Sequence, residues 1–303
     1  MMQTLRIGTR GSPLALAQAR MVATALRDAH GWGPERIEIV PITTTGDIIR
    51  DRPLAEVGGK ALWTKELDRA LAEGLTDVSV HSMKDVETVR PRELAIAAML
   101  PRADVRDRLI GAESLDALPQ SARVGTSSPR RTAQLLARRP DLRIVPLRGN
   151  VETRLRKIQL GEADATLLAS AGLERLGHAE GVVLDDFLPA PAQGAIGVEV
   201  RADDRRTRAL IHDIDHRATY VCVTAERRLL ERLGGTCHSA VAALAQMDRG
   251  RIHLRAEILA TDGSEFQAGE IVYTVAKEEE RPGELAAELL GRASPALRHL
   301  FGG

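Results

Sequence analysis

The sequence predicts two α/β domains with mixed, largely parallel sheets, followed by a small α+β domain. Short apolar runs alternate with helical patterns over the first 200 residues, which is typical of parallel strands joined by helices. The alternation restarts after Pro101, which predicts two such domains joined by a hinge. Beyond Cys237 the pattern changes to strand-like runs and one helix, typical of an α+β domain.

The elements of the first block follow from these patterns. Apolar residues at helical spacing predict a helix at 13–29, and a second helix is predicted at 62–73. Short apolar runs predict strands at 5–8, 37–42, 78–80 and 94–100.

The second block repeats the order. Strands are predicted at 123–125, 143–147 and 165–168, and helices at 128–139, 151–160 and around Leu173. The strand-like run 195–200 is compatible with either domain, and helices follow at 205–214 and 219–233. The last block predicts antiparallel strands at 241–246, 252–259 and 270–275 and a helix at 284–291. The predicted domains are therefore residues 1–100 with 195–217, residues 101–194, and residues 218–303.

Composition excludes several function classes. Lys plus Arg and Asp plus Glu both number 42, so no global basic field attracts nucleic acid. Aromatic residues make up 2%, too few for a stacking surface. No apolar run approaches the length of a membrane span, and the first residues show no secretory pattern. Two cysteines favour a reducing compartment, so a cytoplasmic protein without nucleic-acid or membrane partners is expected.

Arginine recurs where a strand ends and a helix begins. Ser128 and Pro129 give a helix cap and a first helical residue, and Arg130 and Arg131 follow in the first turn. Cations are unfavourable at a helix N-terminus by about 0.3–1 kcal/mol, unless an anion binds there. Similar junctions place Arg10 before Ser12 and Pro13, and Arg148 and Arg154 around an Asn150 cap.

These junctions have two interpretations. Each arginine alone is equally well explained as an ordinary surface residue. Together, at the C-terminal ends of parallel strands, they favour one anion site, and guanidinium suits carboxylates as well as phosphates. An enzyme acting on a polycarboxylate and a two-lobed carboxylate receptor both remain possible at this point.

Several strings in collinear order resemble the porphobilinogen deaminase (hydroxymethylbilane synthase) family. They are His81-Ser82-Met83-Lys84-Asp85, Val124-Gly125-Thr126-Ser127-Ser128, Leu147-Arg148-Gly149-Asn150-Val151, Pro191-Ala192-Gln193-Gly194-Ala195 and Gly234-Gly235-Thr236-Cys237, with Thr9-Arg10, Ser12-Pro13 and Gln18 near the start. Many members of the family have proline where this chain has Glu87.

The resemblance implies two lobes similar to periplasmic binding proteins, with the active cleft between them, and a third domain that carries the cysteine. It implies a transferase of haem and other tetrapyrrole biosynthesis that joins four porphobilinogen molecules head to tail, releasing ammonia and yielding hydroxymethylbilane. The cofactor is a dipyrromethane in thioether linkage to Cys237, assembled from substrate. A monomer is expected, and no metal.

By the same resemblance, Asp85 is the catalytic carboxylate, which would hydrogen-bond pyrrole N–H groups and stabilise developing positive charge. The residues expected to hold the cofactor are Lys84, Thr126, Ser128, Arg130, Arg131 and Arg154. Those expected to bind the incoming substrate are Arg10, Ser12, Gln18, Arg148 and Arg175.

Two further expectations come from the residues themselves. Cys222 lies in a helical run and is expected in a core. The stretch 90–108 carries five arginines interspersed with acids, and a solvated hinge surface is the preferred interpretation, with contacts between the lobes as the alternative use of some of them.

Overall fold

The computed structural model describes residues 4–44, 64–236 and 239–301. These residues divide into two compact units. One contains the chain up to Ala103 together with Ala195–Tyr220, and the other contains Asp104–Gly194 and Val221–Gly303. The strand-like run after Gly194 therefore returns to the first unit.

The first unit is built on a five-stranded sheet with helices. Its strands are β1 (Leu5–Arg10), β2 (Ile37–Ile42), β3 (Val78–Ser82), β4 (Leu94–Met99) and β10 (Ile196–Arg201), in the order β2-β1-β3-β10-β4. Its helices are α1 (Pro13–His30), α2 (Lys65–Ala72) and α6 (Arg205–His212), with short 3-10 turns at Pro34–Arg36 and Met83–Asp85.

The second unit holds a sheet with the same arrangement. Its strands are β5 (Asp107–Ile110), β6 (Arg123–Gly125), β7 (Arg143–Val145), β8 (Ala165–Ala169) and β9 (Val182–Leu184), in the order β7-β6-β8-β5-β9. Its helices are α3 (Pro129–Arg138), α4 (Val151–Gln159) and α5 (Ser170–Arg175).

Both sheets are mixed and largely parallel, as predicted. In the first, β10 is antiparallel to its neighbours β3 and β4, so the other four strands share one direction. In the second, β5 is antiparallel to its neighbours β8 and β9, and the other four strands again share one direction. The strands β5 and β9 were not predicted, because runs of four and three residues give little periodic signal.

Sequence-encoded caps set where the helices begin. Ser12 Oγ accepts a hydrogen bond from Ala15 N at 3.3 Å, and Asn150 Oδ1 accepts one from Thr153 N at 2.8 Å. Ser128 caps α3 in the same way, with its Oγ 3.4 Å from Arg131 N. The three predicted strand-to-helix junctions are confirmed as capped helix N-termini.

The C-terminal residues form the predicted α+β arrangement, and from Val221 onwards they belong to the second unit. Helix α7 (Arg217–Arg232) precedes three antiparallel strands, β11 (Val241–Asp248), β12 (Arg251–Leu259) and β13 (Phe266–Thr274), and then α8 (Arg281–Arg292) and α9 (Pro295–His299). Arg249 and Gly250, both at positive φ, form the two-residue turn between β11 and β12. Cys222 is buried in this core, as predicted.

Helix α7 is hydrogen-bonded both to residues that follow the second sheet and to strand β11. Glu226 on α7 accepts from Ala192 N at 2.6 Å and from Ala245 N at 2.7 Å. The predicted boundary between a second and a third domain therefore stays a prediction. Every helix within the described ranges is too short or too polar to cross a membrane.

Candidate active site

In the first unit, a pocket lies where β1 and β3 end. These strands are parallel neighbours, so Arg10 at the end of β1 and Asp85 just after β3 come to the same edge of the sheet. Arg10, Ser12, Gln18 and Asp85 all line this pocket, together with His81. The structure thus brings together these four residues of the first unit, which were predicted from the sequence to contact the substrate. Lys84, half-buried beside Asp85, does not line it.

Gln18 carries an unsatisfied donor at this pocket. The side chain lies on α1, is 2% exposed, and its Nε2 has no hydrogen-bond partner in the part of the chain that the structure describes. A buried amide N–H without an acceptor costs about 1–3 kcal/mol. An acceptor in the pocket, such as a carboxylate, would satisfy it.

In the second unit, Arg130 and Arg131 share one buried carboxylate. Asp107 opens the antiparallel strand β5, so it lies at the edge where β6 and β8 end. Its oxygens accept from Arg130 Nη2 at 2.8 Å and from Arg131 Nη2 at 2.7 Å. Gln193 Nε2 donates to Asp107 Oδ1 at 2.9 Å.

Burial and ion pairing act against each other in this cluster. Burial alone would raise the pKa of Asp107, but the charges and hydrogen bonds of Arg130 and Arg131 hold it well below its usual value. Burial also lowers the pKa of Arg130, against the attraction of Asp107. Both guanidiniums are therefore committed to an internal ion pair, and their expected contact with the cofactor stays a prediction.

The remaining predicted residues of this unit surround the same edge. Thr126 is buried and its Oγ1 accepts from Ser128 N at 3.2 Å. Arg148 and Arg154 are half-buried around the α4 cap, and Arg154 Nε donates to Gly149 O at 2.9 Å.

Arg175 is a half-buried cation whose Nε is buried and which its surroundings satisfy only in part. It ends α5, and its Nη2 donates to Gly194 O at 2.6 Å. Burial lowers its pKa to about 10, and its Nε has no acceptor among the described residues. An anion would stabilise this guanidinium.

The buried ion pairs of Asp107 and of Arg90 were not predicted from the sequence. Asp107 and Arg90 both lie in the stretch 90–108 predicted to be a solvated surface, and that prediction is wrong for both. Asp107 is 1% exposed, and the Arg90 side chain is 9% exposed and paired with three carboxylates. The only available signal was the need of several buried arginines for counter-ions.

The cysteine predicted to carry the cofactor, Cys237, lies outside the described residues. The same is true of His238 and of residues 45–63, which include the start of the helix predicted at 62–73. Gly234, at φ +67, lies just after the end of α7 and two residues before Thr236. The attachment of the cofactor to Cys237 therefore stays a prediction.

Comparison with known proteins decides the family. Residues 5–209 match the model "Porphobilinogen deaminase, dipyromethane cofactor binding domain", and residues 220–291 match "Porphobilinogen deaminase, C-terminal domain". The chain belongs to the porphobilinogen deaminase family. A curated porphobilinogen deaminase of Sphingopyxis alaskensis is 56% identical over 98% of this chain and 96% of its own length. One of Paracoccus denitrificans is 52% identical over 95% and 94%.

Family membership settles the choice that the sequence patterns left open. The chain is a transferase of tetrapyrrole biosynthesis with a dipyrromethane cofactor-binding domain, rather than a carboxylate receptor. Among solved structures, a nutrient binding protein from Burkholderia cenocepacia bound to methionine aligns with a TM-score of 0.43 and 15% identity, over 76% of this chain and 95% of that one.

The described residues fit a dipyrromethane. Each of its pyrroles carries acidic side chains, so the group needs hydrogen-bond donors and cations in sheltered positions. Gln18 Nε2 and Arg175 Nε are buried donors that lack acceptors among the described residues. Each unit therefore offers a buried donor that suits a carboxylate.

Proposed function

We propose that this chain joins four porphobilinogen molecules into hydroxymethylbilane with Asp85 as its catalytic carboxylate and Cys237 as the cofactor attachment residue. The observation that carries the proposal is the pocket of the first unit, where Asp85 lies with Arg10 and the unsatisfied Gln18. When bound, the dipyrromethane supplies the free pyrrole position to which the first substrate is joined.

Asp85 accepts hydrogen bonds from pyrrole N–H groups and so stabilises positive charge that develops as the substrate's C–N bond breaks. It also helps to carry a proton to the departing ammonia. A half-buried carboxylate suits both tasks, because it is sheltered enough to be directed and open enough to exchange protons.

The cationic residues divide by task. Arg10, Gln18, Arg148 and Arg175 bind the acetate and propionate groups of the incoming substrate and of the growing chain, and Ser12 adds a hydroxyl. The cofactor is held by Lys84, Thr126, Ser128, Arg130, Arg131 and Arg154. Arg130 and Arg131 are supported in this by Asp107, which fixes their guanidinium planes.

Intact mass spectrometry of the purified holoenzyme tests this proposal. Wild-type protein is expected to carry an adduct of two pyrrole units, and Cys237→Ser to lose both the adduct and the deaminase activity. Cys222→Ala is the matched control, since Cys222 is buried in the α7 core, and it should keep the adduct. An adduct that survives in Cys237→Ser contradicts the attachment.

We also propose that the enzyme acts as a cytoplasmic monomer. A thiol that forms a thioether must first be reduced, which a cytoplasmic location favours. Light scattering coupled to gel filtration tests the monomer, and cell fractionation tests the location.

A further inference from the structure

Glu199 is a fully buried carboxylate at the centre of the first unit's sheet. It lies on β10 and pairs with Ser79 of β3. Ser79 and His81 are two residues apart, so both belong to the same face of β3. Its side chain is 0% exposed and accepts from both sides. Glu199 Oε2 lies 3.0 Å from His81 Nε2, and its two oxygens accept from Arg90 Nε at 2.8 Å and Nη2 at 2.9 Å.

These contacts join the two ends of a loop. His81 precedes the Met83–Asp85 turn, and Arg90 follows it. We call residues 82–89 the Asp85 loop. Glu199 therefore binds one residue just before this loop and one just after it, and His81 lines the same pocket as Asp85.

The contacts also decide which residue carries the proton between Glu199 and His81. Burial alone would raise the pKa of Glu199, but the hydrogen bonds and charges of His81 and Arg90 lower it to about 2. An ionised carboxylate only accepts hydrogen bonds, so the proton of this contact sits on His81 Nε2. The orientation of the His81 ring at the pocket wall is then set by Glu199.

Arg90 is held more firmly than one ion pair would hold it. Its Nη1 donates to Glu87 at 2.6 Å and its Nη2 to Asp68 on α2 at 2.5 Å, and Thr64 Oγ1 donates to Glu87 at 2.8 Å. The bidentate contact with Glu199 fixes the guanidinium plane as well as its place.

We propose that Glu199 is a positioning residue, which closes the base of the Asp85 loop by holding His81 on one side and Arg90 on the other. It touches no substrate itself and acts through the placement of Asp85 and His81. The inference rests on the proposed catalytic role of Asp85.

Two isosteric substitutions in the holoenzyme test it. Glu199→Gln removes the charge that holds both His81 and Arg90, and it is expected to lower kcat by about 10–100-fold with KM for porphobilinogen nearly unchanged, because misplacement of a reacting group mainly slows the chemical step. Asp68→Asn is the matched control: it also removes a carboxylate from Arg90, on α2 and outside the Asp85 loop, but the Glu199–His81 contact stays, and kcat should stay close to wild type. Equal kcat in the two folded variants overturns the proposal.

Nuclear magnetic resonance of ¹⁵N-labelled histidine reports whether His81 Nε2 carries a proton. A purely structural role of Glu199 would leave that signal unchanged. Wild-type His81 is expected to be protonated at Nε2, and the amide that Glu199→Gln introduces is expected to disturb that state. A wild-type His81 without a proton on Nε2 overturns the proposal.

A further variant covers the case in which Glu199→Gln fails to fold. Arg90→Lys keeps the charge but loses the two-pronged contact. Its kcat should fall, by less than in a variant without any cation, such as Arg90→Gln. Unchanged kcat in Arg90→Lys overturns the proposal.

Asp85→Asn separates this inference from the proposed function. Full activity in Asp85→Asn removes the role of Asp85 and the inference with it. Loss of activity in Asp85→Asn, with full activity in Glu199→Gln, removes the inference alone.

Discussion

Asp107→Asn probes the buried cluster that holds two of the predicted cofactor ligands. The carboxylate accepts from Arg130, Arg131 and Gln193 and is itself fully buried. The substitution replaces one acceptor oxygen by an NH₂ group that faces donors, and it leaves two buried cations without their shared partner. Removing one partner of a buried ion pair costs about 3–5 kcal/mol of unfolding free energy.

Urea denaturation followed by circular dichroism measures this loss. With a denaturant dependence of about 1–3 kcal/mol per M, the unfolding midpoint of the second unit should fall by at least about 1 M. Asp185→Asn is the matched control, because Asp185 pairs with Arg106 at the surface, where an ion pair contributes about 0–1 kcal/mol.

The dependence on pH has a definite sign. The pKa of Asp107 is lower in the folded protein than its usual 3.8, so the carboxylate stabilises the fold above that value, and this stabilisation is lost as pH falls towards the folded pKa. The difference in stability between wild type and Asp107→Asn should therefore shrink below about pH 4. An Asp107→Asn protein as stable as Asp185→Asn at neutral pH would refute the account of the cluster.

Three further expectations follow from the site and its supports. Asp85→Asn should keep the fold and much of the bound pyrrole chain but lose at least about 100-fold in kcat in a porphobilinogen assay, and wild-type turnover would remove Asp85 from its role. Arg131→Leu should lower cofactor occupancy measured by intact mass, whereas Arg138→Leu, on the exposed side of α3, should not; equal occupancy contradicts the assignment. Ala192→Gly should raise stability by up to about 1 kcal/mol, since Ala192 has φ +63 and a left-handed alanine costs about 1–2 kcal/mol, partly offset by the flexibility of glycine; destabilisation in urea would show that the backbone there is not strained.

Most of the fold was predictable because its signals are local. The helix at 13–29 and the strand at 37–42 follow from the periodicity and apolar runs of their own residues, and the structure has them at Pro13–His30 and Ile37–Ile42. The cap residues Ser12, Ser128 and Asn150 are equally local signals. By contrast, the three-residue strand Val182–Leu184 is held by its pairing with β5, which no short window of sequence contains.

The site was predictable in its residues but less so in its contacts. Family strings indicated Arg10, Gln18 and Asp85, and these line one pocket. Nothing in the sequence indicated which acid pairs with Arg131, because Asp107 lies 24 residues away and meets it only across the sheet edge.

The sequence by itself determined the family and the three blocks of secondary structure, and it predicted the residues proposed to carry the chemistry, because motifs and periodicity are properties of neighbouring residues. The tertiary structure decided which strand completes each sheet and which charges are buried together. Gly197 and Glu199 lie more than a hundred residues from His81, yet β10 brings both beside it. The hydrogen bonds and charges of His81 and Arg90 then keep the pKa of the buried Glu199 low, since the cost of a charge depends on how far it is removed from water and on what faces it there.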